Sequence, residues 1–396
     1  MKILLSAFNC APDMQTPDDG MGWQWAIALA RSGRDVTVLT AARNRDAVEA
    51  WLARNREVTI SFRFIADAGG GRLAGFIWQI AALLTLLRSG EWRDYDLVHH
   101  LTPGSIRRWS WLWVLPRPFV FGPVSGGERA PLRFVAPMGA GPLLQEVLWR
   151  MLLRLSFIDP VFIAMQARAT RILVTTPDTA ACLFPRFRDK AAAGIAIGAP
   201  AARGESGGRT ASPVRLLFTA PLHYANGGDI VAEIAAEIES RGRRYDLVML
   251  GSGPRHAAIA RKLKRIRHLR VLATDEPTPA ELTTLYRECD MAVFPSLRSN
   301  SGMAALDAMA HGLPVVCLDL GAPPMMVGGT GEIVGTAGKN HQDLCRDVAD
   351  AIVRFAEDPR RRLAAGQQAR ERARQLTWDT AVRTGYAAII ERLDTP

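Results

Sequence analysis

The chain has few of the residues that build disulfide frameworks or zinc sites. Its cysteines are odd in number and form no CxxC pair, so neither kind of site is indicated, and a reducing cytoplasm fits this usage best. The five cysteines are Cys10, Cys182, Cys289, Cys317 and Cys345.

Long hydrophobic runs are absent as well. The longest segment without a charged residue is 73–87, fifteen residues that include Gln79 and Thr85, whereas a membrane-spanning helix needs about 20 apolar residues. The apolar start MKILLSAFNCAP runs into DMQTPDD without the three-part layout of a signal peptide. We therefore expect a first strand here and a protein that is not integral to a membrane. With 396 residues, 48% of them hydrophobic, the chain is long enough for two globular domains.

Acidic residues are scarce in one region. The net charge is +10, and between Arg107 and Arg188 there are eleven arginines, no lysine and four acids, interleaved with RRWSWLWVLPRP and LLQEVLWRMLLRLSF. Arginine beside tryptophan and leucine suits a membrane surface with anionic lipid. A solvated basic face over a core helix is an equally open interpretation. Nucleic acid is not an expected partner, because no helix-turn-helix, zinc or RNA-binding signature accompanies the charge.

Strands and helices alternate twice along the chain. Short apolar or β-branched runs, separated by helical stretches such as GWQWAIALARSG, predict parallel strands joined by helical crossovers. The runs are KILLSAF, DVTVLT, VTISFRFI, DLVHHL, FVFGPV and RILVTT, then VRLLFTA, YDLVMLGSG, LRVLAT, DMAVFPSL, PVVCLD and GEIVG. The pattern predicts an α/β fold of two Rossmann-like, doubly wound domains facing each other across a cleft, with ligands bound at the carboxyl ends of the strands.

A change of composition marks the expected domain boundary. From residue 191 the segment AAAGIAIGAPAARGESGGRTASP is rich in Ala, Gly, Ser and Pro, as linkers are. We expect one domain at 1–190, a linker at 191–213 and a second domain at 214–375. A closing helix at 376–396 is expected to cross back to the first domain.

One acid stands in an otherwise apolar helix. The stretch PSLRSNSGMAALDAMAHGLPVV predicts a helix from Gly302 to about His311, and its Gly, Met, Ala and Leu residues indicate burial. Asp307 then needs a partner, because an unsatisfied buried polar group costs roughly 2 to 7 kcal/mol. The partner is either His311, four residues on along the same face, or a polar ligand at the start of the helix.

A glycine pair in the first loop matches a dinucleotide-binding motif in part. Gly20 and Gly22 supply GxG, but Trp25 takes the third glycine position and the pair lies about twelve residues beyond the first strand, so NAD binding is not expected. A GxG placed just before a helix can still let the backbone approach a phosphate or a sugar. A plain helix-entry turn is the alternative.

Several segments together carry a family resemblance that covers nearly the whole chain. They are MKILLSAFNCAP, GMGWQWAIALARSGRDVTVLT, DLVHHLT, FGPVSGGERAP, RILVTTPDT, GSGP, DMAVFPSL, LDAMAHGLPVVCLDLGAP and TWDTA. The sequence resembles family 4 glycosyltransferases of the GT-B fold, in the branch that builds bacterial exopolysaccharides. The resemblance implies a retaining hexosyltransferase that takes a nucleotide-diphosphate sugar as co-substrate and needs no metal or other cofactor. It further implies a lipid-linked glycan acceptor, reached from the cytoplasmic face of the plasma membrane through the first domain.

The resemblance assigns a donor site to the second domain. The family has two glutamates with seven residues between them, the first on the sugar hydroxyls and the second on the donor ribose, and here these positions are Ser299 and Asp307. Asp307 keeps the carboxylate, whereas Ser299 cannot act as an acid. The turn whose N–H groups face the sugar and phosphates matches Ser301, Gly302, Met303 and Ala304, and Gly22 is the expected contact from the first domain.

The diphosphate clamp departs from the family pattern. Where the family has an Arg and, five residues later, a Lys on the donor diphosphate, this chain has Pro221 and Asn226. Loss of two charge-assisted hydrogen bonds, each worth roughly 1.5 to 3 kcal/mol, predicts slow transfer unless another cation substitutes. His223, Arg298 and Arg255 are the candidates near in sequence.

The resemblance also assigns residues to the reacting centre and the acceptor side. The strand end DLVHHLT presents His100 or His99, with His100 favoured, although two strand-end histidines satisfied by the backbone are an open alternative. In GPVSGGERAP, Gly126 and Gly127 form a loop on which Glu128 contacts acceptor or sugar hydroxyls, with a plain turn as the alternative.

Two functional hypotheses follow. The first is an active retaining glycosyltransferase in which the departing diphosphate helps to deprotonate the acceptor, so that no paired carboxylates are required. The second is a catalytically silent glycosyltransferase-like partner or regulator in a polysaccharide assembly complex, favoured by Ser299, Pro221 and Asn226. A sugar-nucleotide epimerase of the same fold fits the basic first domain less well.

Overall fold

The computed structural model describes residues 1–13, 17–67, 74–199, 213–266, 270–272 and 278–394. The chain forms two compact units. The first contains 1–127, 151–197 and 378–396, and the second contains 128–150 and 198–377.

The first unit is built on a parallel sheet of seven strands in the order β3-β2-β1-β4-β5-β6-β7. Its central strands are apolar and buried along nearly their whole length, as expected for a sheet covered on both faces. The strands are β1 Lys2–Ala7, β2 Asp35–Ala41, β3 Ser61–Ile65, β4 Leu97–Thr102, β5 Phe119–Val124, β6 Ala169–Val174 and β7 Ala191–Ala193.

The helices of the first half connect these strands, and a C-terminal helix joins them. They are α1 Pro17–Arg31, α2 Arg45–Leu52, α3 Ala74–Ser89, α4 Leu132–Val135, α5 Ala140–Leu155, α6 Pro160–Arg168 and α7 Pro177–Ala181, and the C-terminal helix is α15 Trp378–Asp394. Residues of α1 and α15 share one core cluster, in which Trp25 and Tyr386 are buried. The Trp25 indole donates to the Ala196 carbonyl at 2.9 Å.

The second unit repeats the plan with six parallel strands in the order β10-β9-β8-β11-β12-β13. Its strands are β8 Val214–Thr219, β9 Tyr245–Leu250, β10 Arg270–Leu272, β11 Met291–Phe294, β12 Val315–Leu318 and β13 Glu332–Val334. Its helices are α8 Gly228–Ser240, α9 His256–Leu263, α10 Pro279–Glu288, α11 Met303–Ala310, α12 Pro323–Val327, α13 His341–Glu357 and α14 Pro359–Gln375. In each sheet the next two strands are added on one side of the first strand, and the later strands are added on its other side. The first strand therefore lies at the switch point of a doubly wound fold.

Local sequence explains where several helices begin. Thr278 and Glu281 form a reciprocal capping box at the start of α10, and Asn340 accepts from the Asp343 N–H at the start of α13. Helix α13 buries one apolar face, which includes Leu344, Val348 and Ile352, and exposes the other.

The predicted α/β, doubly wound class is confirmed, and each quoted strand run overlaps an observed strand. The largest difference in boundaries is at residues 128–150, which belong to the second unit, whereas the sequence places them in a domain at 1–190. The physical reason is a set of contacts distant in sequence, among them Glu146 with Arg298 and Arg133 with the Thr336 carbonyl. The first residues of the predicted linker form β7, and 200–212 lie outside the described residues.

In the part of the chain that the structure describes, no helix combines the length and the apolar character needed to cross a bilayer.

Candidate functional site

A cavity of about 410 Å³ lies in the second unit. It is at the carboxyl ends of β8 and β11, which are neighbours at the switch point of the sheet, where doubly wound folds bind ligands. Its lining combines apolar side chains with convergent polar groups: Thr219, Ala220, Pro221, Asn226, Leu282, Tyr286, Phe294, Ser296, Arg298, Ser299, Asn300, Ser301, Gly302, Met303, Ala304, Ala305, Asp307 and Pro323. We call this cavity the α11 pocket.

Two loops that border the pocket are held backbone to backbone. The N–H groups of Leu297 and Arg298 both donate to the Ala225 carbonyl, at 2.8 and 3.0 Å. Gly227 has a φ of 83°, and a Cβ there would lie 2.2 Å from the Pro295 carbonyl oxygen, so only glycine permits this approach. The pocket is therefore formed by the fold itself before any ligand enters.

Helix α11 begins at the pocket, within a residue of the predicted start. Gly302, the residue before it, has a φ of 68° and sits against Met326. The preceding Ser299 carbonyl accepts from the Ala322 N–H at 2.9 Å, which fixes the turn. Because the first N–H groups of a helix lack intrahelical partners, Ala304 presents a backbone donor at the pocket wall, and beside it the Met303 N–H donates to Ser301 Oγ at 3.4 Å.

Asp307 has a carboxylate without a hydrogen-bond partner among the described residues, and burial raises its pKa from the ordinary value to about 7. Of the two alternatives that the sequence leaves open, pairing with His311 is not observed, because His311 Nδ1 lies 2.8 Å from the Asp307 backbone carbonyl and not from its carboxylate. The imidazole also stacks on Tyr286, with ring centroids 4.7 Å apart. Burial lowers the pKa of His311, so the neutral ring donates its Nδ1 proton to that carbonyl.

Arg298 is the cationic side chain among the residues that line the pocket. Its Nη1 lies 3.2 Å from Oε2 of the fully buried Glu146. Its guanidinium stands over the rings of Trp149 and Tyr224, at 4.8 and 5.7 Å from the centroids. Sequence reasoning missed Glu146, because it lies 152 residues away within a segment that reads as an amphipathic surface helix.

The other two candidate cations lie elsewhere. Arg255 makes two hydrogen bonds, at 2.8 and 2.6 Å, to the buried Asp229. His223 caps a short turn by accepting from the Ala225 N–H, and burial together with Arg298 lowers its pKa. Neither is among the residues that line the pocket.

The two positions that depart from the family's diphosphate clamp contact each other. Pro221 and Asn226 both line the α11 pocket. The Asn226 side-chain amide donates to the Pro221 carbonyl at 2.7 Å. The amide nitrogen is thus already engaged within the loop.

The two histidines of β4 are both fully buried in the first unit. His99 Nε2 donates to the Gly122 carbonyl at 2.5 Å, and Nδ1 accepts from the Tyr386 hydroxyl at 2.8 Å. His100 stacks on Phe121 and lies near the Pro103 backbone. Burial lowers the pKa of His99 to about 4 and that of His100 to about 3, so both rings are neutral.

The glycines named from the sequence owe their identity to backbone packing. A Cβ on Gly22 would lie 2.0 Å from the Asn9 carbonyl oxygen, and one on Gly127 would lie 2.4 Å from the Thr179 Cα. Gly126 has a φ of 100°. The expectation that Gly20 and Gly22 precede the helix is wrong, because α1 begins at Pro17 and contains both.

Glu128 follows these glycines and is 2% exposed. Its backbone carbonyl accepts from the Trp149 indole at 3.1 Å. Both residues of this contact belong to the segment 128–150 of the second unit.

Comparison with known proteins finds a family match within the second unit. Residues 213–358 match the family described as Glycosyl transferases group 1. The chain is 31% identical over 175 residues to the D-inositol 3-phosphate glycosyltransferase of Corynebacterium aurimucosum, covering 41% of this chain and 40% of that protein. With the enzyme of the same name from Saccharomonospora viridis it is 28% identical over 225 residues, 52% of this chain and 49% of that one. The chain thus spans about half the length, or less, of these curated relatives.

Solved structures extend the likeness to the full chain. A sucrose-phosphate synthase from Thermosynechococcus elongatus superposes with a TM-score of 0.65 at 16% identity, covering 100% of both chains. Anabaena Alr3699/HepE in complex with UDP and glucose superposes with a TM-score of 0.57 at 14% identity, also over 100% of both chains. Residues 213–358 of the second unit are therefore similar to the family described as Glycosyl transferases group 1, and the chain as a whole has the GT-B fold.

Proposed function

We propose that this protein is a glycosyltransferase that binds a nucleotide-diphosphate sugar in the α11 pocket. The observation that carries the proposal is Asp307, a carboxylate aimed into a strand-end cavity of the matched domain and left without a hydrogen-bond partner among the described residues. Such a group is costly unless a ligand pairs with it. Two ribose hydroxyls of a nucleotide are matching donors.

The remaining pocket residues fit the rest of such a donor. The backbone N–H groups of Met303 and Ala304 face the sugar and phosphates at the start of α11. Asn226, Ser299 and Ser301 supply polar contacts in the lining. Arg298 binds the donor diphosphate in place of the Arg and Lys of the family pattern, because a guanidinium can make paired hydrogen bonds to phosphate oxygens.

The proposed reaction keeps the anomeric configuration and uses no metal. The bond between the sugar C1 and the diphosphate oxygen breaks with its electrons going to the diphosphate, and the acceptor oxygen bonds to C1 on the same face. The departing diphosphate takes the acceptor proton. Electrostatic stabilisation of the leaving group then supplies much of the rate, which assigns Arg298 the central role.

For the acceptor we propose a lipid-linked glycan of a cell-surface polysaccharide, such as an exopolysaccharide, reached at the inner face of the plasma membrane. Helix α5 supports this proposal, because it exposes large apolar side chains along one face. Leu144, Met151 and Leu155 are 59%, 55% and 54% exposed, and Arg154 lies in the last turn of the same helix. An apolar stripe beside arginine suits an anionic lipid surface.

The proposal has two alternatives, one for the acceptor and one for the function. The curated relatives are named as glycosyltransferases of D-inositol 3-phosphate, so a soluble phosphorylated polyol is the competing acceptor class. A silent partner in an assembly complex is favoured by Ser299, Pro221 and Asn226, which lack the charges of the family pattern.

The test is calorimetric titration of the full chain with UDP, GDP and their hexose conjugates, repeated on Asp307→Ala. The matched control is Glu371→Ala, which removes an acid that pairs with Arg374 on the surface of the same unit. We expect micromolar binding of one nucleotide series by wild type and control, and at least tenfold weaker binding by Asp307→Ala. If no nucleotide binds to folded protein, the donor site is wrong and the silent-partner hypothesis stands.

A positive titration leads to a transfer assay with the nucleotide sugar that binds. Membrane lipid extract and inositol phosphate are offered separately as acceptors. Labelled product in the lipid fraction supports the lipid-linked acceptor, and product in the aqueous fraction with inositol phosphate overturns it in favour of the polyol.

A further inference from the structure

Helices α8 and α13 bring three metal-ligating side chains together in the second unit. Glu233 stands on α8, and His341 and Cys345 stand one turn apart on α13. A spacing of four residues puts the last two on one helix face, and that face meets α8. Among the residues that the structure describes, the carboxylate oxygen, imidazole nitrogen and sulfur of this group all lie within 4.8 Å of one another.

The separations suit a tetrahedral ion. Metal–ligand bonds of about 2.0–2.3 Å place the ligands of tetrahedral zinc roughly 3.3–3.8 Å apart. Cys345 Sγ lies 3.7 Å from Glu233 Oε2, which also contacts His341 Nε2 at hydrogen-bond distance. The His341–Glu233 contact must lengthen to admit an ion, and the Glu233 side chain, 30% exposed, has room to move.

The chemistry of the three donors selects the metal. One carboxylate oxygen, one imidazole nitrogen and one thiolate are a mixed set of the kind that zinc accepts, whereas calcium and magnesium prefer oxygen alone. Three protein ligands leave a fourth position for water. The partial exposure of Glu233 and His341 gives solvent a path to that position.

Lys262 defines which carboxylate oxygen is available. Its Nζ lies 2.6 Å from Glu233 Oε1 and 3.1 Å from Asp229 Oδ1. The lysine therefore holds Oε1 and leaves Oε2 facing His341 and Cys345. Its positive charge opposes a bound cation, so its removal should strengthen metal binding.

We propose that Glu233, His341 and Cys345 form a zinc site that fastens α13 to α8, with water as the fourth ligand. Binding displaces the thiol proton of Cys345 to solvent, since the thiolate is the ligand form. None of the three residues is among those that line the α11 pocket. The site is thus independent of the proposed sugar transfer.

Cobalt is the probe, because Co²⁺ replaces Zn²⁺ in such sites and reports its ligands by absorption. The full chain, first treated with chelator, is titrated with Co²⁺. We expect one equivalent to bind, with visible bands of four-coordinate cobalt and a near-ultraviolet thiolate-to-cobalt charge-transfer band, both bleached by Zn²⁺. Cys345→Ser should lose the charge-transfer band, and Cys345→Ser and His341→Gln should each weaken uptake by more than roughly 100-fold, because even outer-shell partners are worth 10- to 100-fold.

The matched control is Cys182→Ser, a buried cysteine in the first unit whose thiol donates to the Gly127 carbonyl, as a serine hydroxyl can. It should keep the wild-type spectrum. Lys262→Met, which leaves all three ligands in place, should bind Co²⁺ more tightly. The proposal is overturned if folded wild type takes up no cobalt, or if the charge-transfer band persists unchanged in Cys345→Ser.

Discussion

Donor binding should depend on pH through Asp307. Burial raises the pKa of this carboxyl to about 7 in the free protein. The ionised form accepts ribose hydroxyls in charge-assisted hydrogen bonds, whereas the protonated form must first lose its proton. With that pKa, about 10% of the protein is ionised at pH 6 and about 90% at pH 8, so affinity should rise by roughly tenfold over this interval.

The assay is calorimetric titration with an intact nucleotide-diphosphate hexose at half-unit steps from pH 5.5 to 8.5. A sugar conjugate is preferable to free UDP, because a terminal phosphate titrates near pH 6 and would imitate the effect. At pH 6, binding should also release close to one proton, visible as a dependence of the heat on the ionisation enthalpy of the buffer.

Asp307→Asn separates this carboxyl from every other titrating group. Its affinity should be flat across the pH range and, at pH 8, about 10- to 150-fold weaker than wild type, the equivalent of 1.5 to 3 kcal/mol for one charge-assisted hydrogen bond. Glu371→Gln should keep the wild-type profile. A flat profile in wild type, or the same slope in Asp307→Asn, would refute the reasoning.

Three further predictions concern stability, the leaving group and the membrane. The pKa of Asp307 is higher in the folded protein than in the unfolded chain, so the free energy of unfolding of wild type should fall by up to about 4 kcal/mol as pH rises from about 4 to 7. Asp307→Asn should lose less. Urea unfolding at pH 5 and at pH 8 measures the difference. Arg298→Ala should lower nucleotide-sugar affinity or transfer rate by about 10- to 100-fold, with Arg298→Lys in between, and an unchanged rate and affinity would remove Arg298 from the diphosphate site. Met151→Glu, on the exposed face of α5, should reduce sedimentation with anionic vesicles while leaving nucleotide binding unchanged; undiminished sedimentation would contradict membrane docking by this face.

The sheets were predictable because their signal is local. Strands such as β4 and β11 are buried on both faces, so their apolar runs stand out in the sequence whatever lies around them. The start of α11 was predictable for the same reason, since Gly302 follows a strand and precedes an apolar helix. The short β7 was missed because Ala191–Ala193 has the composition of the linker that follows it.

The side-chain partners could not be predicted, because they depend on direction as well as spacing. The four-residue spacing of Asp307 and His311 correctly puts them close together, yet Nδ1 finds the backbone carbonyl near the end of α11 instead of the carboxylate. Glu146 reaches Arg298 across 152 residues, and Glu233 reaches His341 across 108. A search for CxxC pairs has no means of detecting ligands that two helices bring together.

The contacts of Arg298 help to decide whether the altered diphosphate clamp can support sugar transfer. The Arg298 Nη1 pairs with Glu146, and the guanidinium lies over the rings of Trp149 and Tyr224. These contacts restrict the side chain, so less conformational freedom would be lost when a diphosphate binds. Glu146 itself is shared: it also accepts from Arg150, from the Tyr224 hydroxyl and from the Ala130 N–H, so its charge is divided among several donors. Glu146 therefore neutralises the charge of Arg298 only in part, and the guanidinium can still attract an anionic ligand in the pocket. In the proposed donor site, this one guanidinium, which lines the same pocket as the start of α11, would replace one of the two charge-assisted bonds of the family pattern and leave a deficit of about 1.5 to 3 kcal/mol. Such a deficit would slow transfer roughly 10- to 150-fold without abolishing it, so the altered clamp is compatible with the proposed active enzyme.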